Sequence, residues 1–267
     1  MLTIILEPAL IIGVLALIFG LILAFASKVF YVEIDERIEK ISKLLPGANC
    51  GGCGFPGCAG YASAIVEKDC DITLCHPAGK DTAKKIGDIL GKSASNITKM
   101  VAFIHCNSGG LKNTNLKYDY VGIDNCKAVT LLGSGINMCV HGCVGQNSCL
   151  KICKFDAITI DSEGMRVINK DKCTGCGACV KECPRHLIEL VPEHKKIHIN
   201  CTSKDKGAIA KKSCGAKTAC LGCGLCAKNC PTTAITIENN LAKIDYSKCS
   251  NCGVCMEKCI TKAIIYL

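Results

Sequence analysis

The residues best able to do chemistry in this chain are its thiols, which recur at fixed spacing. The 267-residue sequence contains 25 cysteines. Three loops share the spacing CxxCxxCxxxC: "CTGCGACVKEC" at 173–183, "CLGCGLCAKNC" at 220–230 and "CSNCGVCMEKC" at 249–259. Thiols can form disulfides, bind zinc or hold iron–sulfur clusters, and the spacing helps to separate these chemistries.

An iron–sulfur cluster fits these loops best. Disulfides are disfavoured because the number of cysteines is odd and many lie so close in sequence that a direct bridge is strained. Structural zinc usually takes two CxxC pairs and a longer spacer, not one CxxCxxC run. In proteins with two [4Fe-4S] clusters, the first three cysteines of such a run bind one cluster and the fourth reaches the other. The loops are therefore expected to work in pairs.

An internal repeat indicates which loops pair. "DAITIDSEGMRVINKDKCTGCGAC", beginning at Asp156, aligns with "TAITIENNLAKIDYSKCSNCGVC", beginning at Thr233. Each copy predicts a β-hairpin that links two cysteine loops. Crossed ligation then predicts two sites in the C-terminal unit: Cys220, Cys223, Cys226 and Cys259, and Cys249, Cys252, Cys255 and Cys230.

The unit before it has one irregular loop, "CVHGCVGQNSCLKIC" at 139–153. Crossed ligation again predicts two sites: Cys139, Cys143, Cys149 and Cys183, and Cys173, Cys176, Cys179 and Cys153. The spacing of this loop departs from the simple CxxCxxCxxxC pattern.

The N-terminal third carries a different pattern. "CGGCGFPGC" at 50–58 and "LCHPAGK" from Leu74 predict one [4Fe-4S] site at Cys50, Cys53, Cys58 and Cys75, with glycines that permit close backbone approach. Zinc is the rival metal at this site. His76 is an alternative ligand, although a neutral histidine beside a helix end is the commoner role. Cys70 has no matching partner and is expected to be a small buried hydrophobic residue.

A sixth site is a hypothesis that rests on the remaining thiols: Cys106, Cys126, Cys201 and Cys214. Cys126 precedes the first unit and Cys201 follows it, and the ends of a compact unit are commonly close in space. The alternative is buried free cysteines near two predicted strands, "MVAFIHC" and "KIHINC". The predicted cofactors are thus five [4Fe-4S] clusters, with a sixth as a hypothesis.

Residues 8–27 contain no charged side chain and are long enough to cross a bilayer as a helix. A cleaved signal peptide is the alternative, but the start lacks a positive charge and carries Glu7. Basic residues follow the span, among them Lys28 and Arg37, so the positive-inside rule places the rest of the chain in the cytoplasm. The chain is therefore predicted in the cytoplasmic (inner) membrane. Ile34, Ile38, Ile41 and Leu45 then predict an amphipathic helix.

The predicted fold class is α+β: a transmembrane helix, a small four-cysteine domain and two bacterial-ferredoxin-like two-cluster units. The predicted boundaries are an anchor at 1–30, a four-cysteine domain at 31–92, a linker at 93–135, a first unit at 136–200, a connecting segment at 201–215 and a second unit at 216–267.

The formal charge of +9 does not indicate a nucleic-acid partner, because basic and acidic residues are interspersed without an aromatic platform. Five clusters at about −2 each would also offset this charge. The sequence contains no phosphate-binding glycine motif after a strand, no Ser/His/Asp set and no paired catalytic carboxylates. We therefore predict an electron carrier without a substrate site of its own.

The ordered combination of membrane span, "CGGCGFPGC", "LCHPAG" and ferredoxin loops resembles the B subunit of the Rnf complex, in its long form with additional ferredoxin units. The four-cysteine domain is also similar to one in corrinoid iron–sulfur proteins. The resemblance implies an electron-transfer subunit of an ion-translocating ferredoxin:NAD+ oxidoreductase. Its expected partners are reduced ferredoxin, other membrane and flavin-bearing subunits, and membrane lipid. A membrane-tethered polyferredoxin serving a hydrogenase or other reductase, and a zinc-binding or redox-sensing scaffold, remain as alternatives.

Overall fold

A computed structural model describes residues 2–30, 35–93, 98–108 and 113–267, with side chains described from Leu10 onward. The helices are α1 Leu2–Val29, α2 Glu36–Leu44, α3 Gly57–Glu67, α4 Gly79–Leu90, α5 Cys126–Leu131, α6 Ser148–Lys151, α7 Ala178–Glu182, α8 Gly207–Ser213, α9 Leu225–Lys228 and α10 Val254–Glu257. The strands are β1 Met100–Ile104, β2 Ile158–Ile160, β3 Arg166–Ile168, β4 Ile188–Pro192, β5 Ile197–Ile199, β6 Ile235–Glu238, β7 Leu241–Ile244 and β8 Ile264–Tyr266. The predicted α+β class is confirmed.

The N-terminal helix α1 has the length and composition of a membrane span. Its segment Leu10–Val29 has 20 residues, a mean hydropathy of 2.8 and no part buried against the rest of the chain. An apolar helix of this length that no other part of the chain covers is more stable in hydrocarbon than in water, because exposing its apolar side chains to water is unfavourable. The helix is therefore a candidate membrane anchor.

Helices α2, α3 and α4 form a small domain around one apolar core. Asp35 caps α2 by accepting a hydrogen bond of 2.8 Å from the amide of Arg37. Ile41 is fully buried and packs with Tyr61, Ile65 and Ile86. The predicted amphipathic face of α2 thus packs into the domain core, whereas Ile34, also predicted on this face, lies outside the described residues.

Each ferredoxin-like unit combines an inner hairpin and an outer pair of strands. The hairpins are β2–β3 and β6–β7, as the internal repeat predicted. In the outer pairs, β1 is antiparallel to β4 with Met100 opposite Pro192, and β5 is antiparallel to β8 with Ile197 opposite Tyr266. The two predicted strand segments, "MVAFIHC" and "KIHINC", therefore hold the first strands of the two units.

The strand pairing gives the two units boundaries that differ from those predicted from the sequence. By pairing, the first unit runs from β1 to β4 and includes residues assigned to the linker at 93–135. The second unit begins at β5, which was placed at the end of the first unit. The physical reason is that each outer strand needs a ladder partner, and the partner lies at the opposite end of its own unit.

Thiols form part of both unit cores. Cys173 and Cys179 pack with Val101, Leu187 and Val191 in the first unit. Cys220, Cys226 and Cys255 pack with Ile197 and Ile264 in the second unit. The space between hairpin and outer strands is therefore lined by sulfur as well as by aliphatic side chains.

Candidate iron–sulfur centres

Six groups of four thiols can be traced in the structure, and we number them as sites 1 to 6 along their spatial order. Site 1 is Cys50, Cys53, Cys58 and Cys75, and site 2 is Cys153, Cys173, Cys176 and Cys179. Site 3 is Cys126, Cys143, Cys149 and Cys183, and site 4 is Cys106, Cys139, Cys201 and Cys214. Site 5 is Cys220, Cys223, Cys226 and Cys259, and site 6 is Cys230, Cys249, Cys252 and Cys255. These groups account for 24 of the 25 cysteines.

Site 1 is brought together by the fold of the N-terminal domain. Burial, with a smaller contribution from the nearby thiols Cys53, Cys58 and Cys50, raises the pKa of the Cys75 thiol to about 11. Tyr61 fixes the segment that leads to Cys75, since its hydroxyl donates to the carbonyl of Asp71 at 2.7 Å and accepts from the amide of Leu74 at 3.2 Å. All four thiols predicted for this site thus converge.

Sites 5 and 6 hold the thiols that crossed ligation predicted. Cys259 lines one cavity with Cys220, Cys223 and Cys226, although 33 positions separate it from Cys226. Cys230 lines another cavity with Cys249, Cys252 and Cys255. The short helices α9 and α10 follow the second cysteine of each loop after a glycine in the left-handed region, Gly224 with φ 75° and Gly253 with φ 81°.

Site 2 has the same crossed arrangement in the first unit. Burial raises the pKa of Cys179 to about 12, and the thiols of Cys176, Cys173, Cys149 and Cys153 add to the shift. Cys153 is therefore near the thiols of the second loop, as predicted. The proximity of Cys149, which belongs to site 3, shows that sites 2 and 3 are neighbours.

Sites 3 and 4 differ from the predicted sets by an exchange of two cysteines. Cys126 lines the cavity of Cys143, Cys149 and Cys183, where the sequence placed Cys139. Cys139 lines the cavity of Cys106, Cys201 and Cys214, where the sequence placed Cys126. The reason is local: Cys126 begins α5, and its amide donates to Ser148 Oγ at 2.9 Å, so α5 packs beside α6, which carries Cys149.

Backbone amides point at many of the sulfurs, which the sequence did not predict. The amide four residues after the last cysteine of a loop donates to its Sγ in three loops: Leu187 to Cys183 at 3.5 Å, Ala234 to Cys230 at 3.3 Å and Ala263 to Cys259 at 3.2 Å. The intervening residues His186, Thr233 and Lys262 have φ of 51°, 48° and 53°. Such N–H···S bonds stabilise a thiolate and tune the potential of a cluster that it binds.

Arg185 supplies an observation that tests whether clusters fit these sites. Its guanidinium lies near the thiols of Cys139, Cys143, Cys106 and Cys183, and burial lowers its pKa. Its Nε and Nη1 are buried without a hydrogen-bond partner in the described part of the chain. Two buried guanidinium nitrogens without acceptors are costly, even though Nη2 donates to the carbonyl of Ser134, so an anionic group between sites 3 and 4 is expected, and a thiolate-bound cluster is such a group.

Two predicted residues behave differently from the thiol sets. Cys70 is half-buried instead of buried, and it belongs to none of the six groups. His76 starts a short 3₁₀ turn after Cys75, and its Nδ1 is buried without a partner among the described residues. Within those residues, no three His, Cys, Asp or Glu side chains converge closely enough to hold a single metal ion.

Family models match both kinds of site. Residues 45–77 match a model described as a putative Fe-S cluster. Residues 138–187, 172–234 and 219–263 match a 4Fe-4S dicluster domain. The first match covers site 1, and the others cover the cysteine loops of the two ferredoxin-like units.

Relatives extend over most of the chain. The B subunit of the Na+-translocating ferredoxin:NAD+ oxidoreductase complex of Acetobacterium woodii is 45% identical over 93% of this chain and 74% of its own length. The B subunit of the ion-translocating oxidoreductase complex of Methanosarcina acetivorans is 39% identical over 86% of each chain. The B subunit of the proton-translocating ferredoxin:NAD+ oxidoreductase complex of Clostridium ljungdahlii is 41% identical over 88% of this chain and 82% of its own. The chain belongs to the family of B subunits of ion-translocating, Rnf-type oxidoreductase complexes.

Proposed function

We propose that this chain is the electron-transfer subunit of an ion-translocating ferredoxin:NAD+ oxidoreductase complex, in which it takes electrons from reduced ferredoxin and passes them to other subunits. The observation that carries this proposal is the gathering of thiols into groups of four behind a membrane helix, with backbone amides directed at their sulfurs. When bound there, [4Fe-4S] clusters supply one-electron redox chemistry.

At least five groups are proposed as [4Fe-4S] sites. Sites 1, 2, 5 and 6 have the ligands that the sequence predicted, and site 3 takes Cys126 in place of Cys139. The protein's own part is to hold the thiolates, to donate amide hydrogen bonds to them and to keep water away. Ala102 illustrates this role, since its amide donates to the buried Cys173 Sγ at 3.3 Å.

The second unit is the proposed surface for reduced ferredoxin. Cys223 of site 5 and Cys252 of site 6 are exposed, so these two sites reach the solvent. Residues 197–267 contain ten lysines and four carboxylates, which leaves this unit positive even with two anionic clusters. A positive surface beside exposed sites would attract an acidic electron carrier and raise its association rate.

Site 1 is the proposed membrane end, because the N-terminal domain follows α1 directly. We further propose that α1 anchors the chain in the cytoplasmic membrane with residues 28–267 in the cytoplasm. The span is followed by four basic residues, Lys28, Arg37, Lys40 and Lys43, and only the acidic Glu7 precedes it. The positive-inside rule therefore places the side after the span in the cytoplasm. A reporter enzyme that works only in the cytoplasm should be active when it is fused after Leu267. Activity of a reporter that works only in the periplasm would contradict this orientation.

Stopped-flow mixing of the anaerobically purified full-length chain with reduced ferredoxin tests the function. Fast bleaching of the chain's chromophore, slowed by salt, is expected. The double variant Lys228→Glu with Lys258→Glu should lower the bimolecular rate several-fold, because both side chains are exposed near sites 5 and 6. The control Lys84→Glu with Lys85→Glu, two exposed residues of α4 in the N-terminal domain, should not lower this rate.

Purification from membranes supplies the second arm of this test. Multi-span and flavin-bearing subunits are expected to co-purify with the chain. A hydrogenase in their place, or no reduction by ferredoxin, would contradict the proposed function.

A further inference from the structure

We propose that site 4, formed by Cys106, Cys139, Cys201 and Cys214, binds a sixth [4Fe-4S] cluster that connects the two ferredoxin-like units. These thiols come from four separate segments and line one cavity. Cys106 follows β1, Cys139 opens the irregular loop, Cys201 follows β5 and Cys214 ends α8. The role of this site as a connection rests on the proposed electron-transfer function, whereas cluster binding does not.

The sulfurs of site 4 accept more amide hydrogen bonds than neutral core thiols need. Cys106 Sγ accepts from the amides of Ser108 and Cys143, each at 3.4 Å. Cys201 Sγ accepts from the amide of Ser203 at 3.5 Å. A neutral thiol is a weak acceptor, so two amide donors on one sulfur are typical of a thiolate ligand.

Cys139 adds to this pattern, since the nearby amides of His141 and Gly142 oppose the rise in its pKa that burial causes. The Gly142 amide itself donates to the carbonyl oxygen of Cys139 at 3.1 Å. In both Cys106 and Cys201, one donor is the amide two residues later. Site 4 thus directs backbone amides at its sulfurs, as the ferredoxin loops do at Cys183, Cys230 and Cys259, although its cysteines lack their CxxC spacing.

Site 4 contacts a site in each unit. The amide of Cys143, a residue of site 3, donates to Cys106 Sγ. Cys201 packs against the core cluster that contains Cys220, a residue of site 5, and the nearby amide of Cys220 opposes the rise in the pKa of Cys201 that burial causes. Site 4 therefore lies directly between site 3 of the first unit and site 5 of the second.

The remaining sites continue this series in both directions. Cys149 of site 3 is near Cys179 of site 2, and Cys176 of site 2 is near Cys50 of site 1. Cys226 of site 5 is near Cys255 of site 6. Sites 1 to 6 thus form one continuous series. With clusters bound, this series would carry one electron at a time from one site to the next, and each transfer would oxidise the donor site and reduce the acceptor site without a proton or another reactant.

Iron analysis of the full-length chain, purified anaerobically in detergent, tests the ligand set. The parent should contain about 24 iron atoms, at about four per cluster. Cys201→Ala, and independently Cys214→Ala, should each lose about four, while Cys70→Ala, outside all six sites, should lose none. Retention of the other iron shows that the variants fold. A parent near 20, with no loss in either variant, would overturn the proposal.

Double variants decide which thiol belongs to site 4. Cys139→Ala with Cys201→Ala should lose about four iron atoms, because both residues bind one cluster, whereas Cys126→Ala with Cys201→Ala should lose about eight. The reverse result would return Cys126 to this site and overturn the ligand set.

Reduction kinetics test the connecting role. In Cys201→Ala, ferredoxin should reduce sites 5 and 6 at the parent's rate, and the sites of the first unit at least about tenfold more slowly. Equal rates for all sites would overturn the connection. If ferredoxin reduces no site even in the parent, the proposed function fails while the iron analysis still decides cluster binding.

Discussion

Gly52 lies against the carbonyl oxygen of Cys176, so closely that a Cβ at position 52 would overlap that oxygen. The loop of site 1 therefore packs directly against the loop of site 2. Lys181 Nζ donates to the carbonyl of Gly51 and Lys154 Nζ to that of Ala48, each at 3.1 Å. The N-terminal domain thus docks on the first unit through the two loops that carry their thiols.

Gly52→Ala should weaken this docking by about 1–3 kcal/mol, because an added methyl group finds no space there. We expect the iron content to be unchanged, faster hydrogen exchange in residues 47–54 and a smaller magnetic coupling between sites 1 and 2. Gly54→Ala is the control: its φ of 90° strains the same loop, but an added Cβ meets no atom within 4 Å. Equal effects of both variants would show that loop strain, and not the contact with Cys176, is responsible.

Crossed ligation predicts which variants share a spectroscopic signal. Cys230→Ser should alter the same electron paramagnetic resonance signal as Cys252→Ser, because both residues line site 6. Cys223→Ser should alter the signal that Cys259→Ser alters, because both line site 5. If Cys230→Ser and Cys223→Ser changed one common signal, each loop would hold its own cluster and the crossed arrangement would be wrong.

Arg185→Met should lower the midpoint potentials of sites 3 and 4. Loss of a nearby positive charge disfavours the more negative, reduced cluster. A unit charge several ångströms away contributes on the order of 1–3 kcal/mol at an effective dielectric constant near 20. The expected shift is therefore on the order of 50–100 mV, since about 59 mV corresponds to a tenfold change for one electron.

Redox titration followed by electron paramagnetic resonance measures the Arg185 effect. Sites 5 and 6 act as the internal reference, and Arg185→Lys should retain most of the parent's potential. A shift that is the same in all six sites would indicate a general change of fold instead of a local charge effect.

His198 should make the stability of the chain depend on pH. It is fully buried, stacks on Phe103 at 4.4 Å between ring centroids and accepts from the Tyr246 hydroxyl at 2.8 Å through Nδ1, while Nε2 donates to the carbonyl of Lys195 at 3.0 Å. Burial lowers its pKa to about 4. In the unfolded chain the pKa of a histidine is near 6.5, so between about pH 4 and pH 6.5 the unfolded state binds more protons than the folded state. The free energy of unfolding is therefore highest above about pH 6.5 and decreases as the pH falls through this range.

Anaerobic urea titration between pH 5 and pH 7 measures this dependence. His198→Gln keeps a donor and an acceptor but cannot be protonated, so it should reduce the slope by at most about 1.4 kcal/mol per pH unit. Tyr246→Phe is the matched comparison, because it removes the hydroxyl that faces Nδ1 while the titrating ring stays. An unchanged slope in His198→Gln would refute the role of this residue.

The sequence by itself determined the parts of the protein whose information is local. The run of uncharged residues at 8–27 predicted the candidate membrane helix, and the repeat beginning at Asp156 and Thr233 predicted both hairpins. The CxxCxxCxxxC spacing predicted sites 2, 5 and 6, because a short loop must wrap a cluster with adjacent residues and the fourth cysteine follows at a fixed turn. The glycine-rich "CGGCGFPGC" segment likewise predicted site 1.

Only the tertiary structure decided the membership of sites 3 and 4. Cys139 lies four positions before Cys143 in the irregular loop, so local spacing favoured it for site 3, whereas Cys126 lies 13 positions before that loop. The packing of α5 against α6 brings Cys126 to site 3, and the pairing of β5 with β8 gives the segment after β5, with Cys201, to the second unit. The cation of Arg185, the amides on the sulfurs and the contact of Gly52 with Cys176 likewise depend on residues distant in sequence. The spacing of cysteines in the sequence shows only which residues are close along the chain, whereas these contacts form when strands and loops that are distant in sequence pack together.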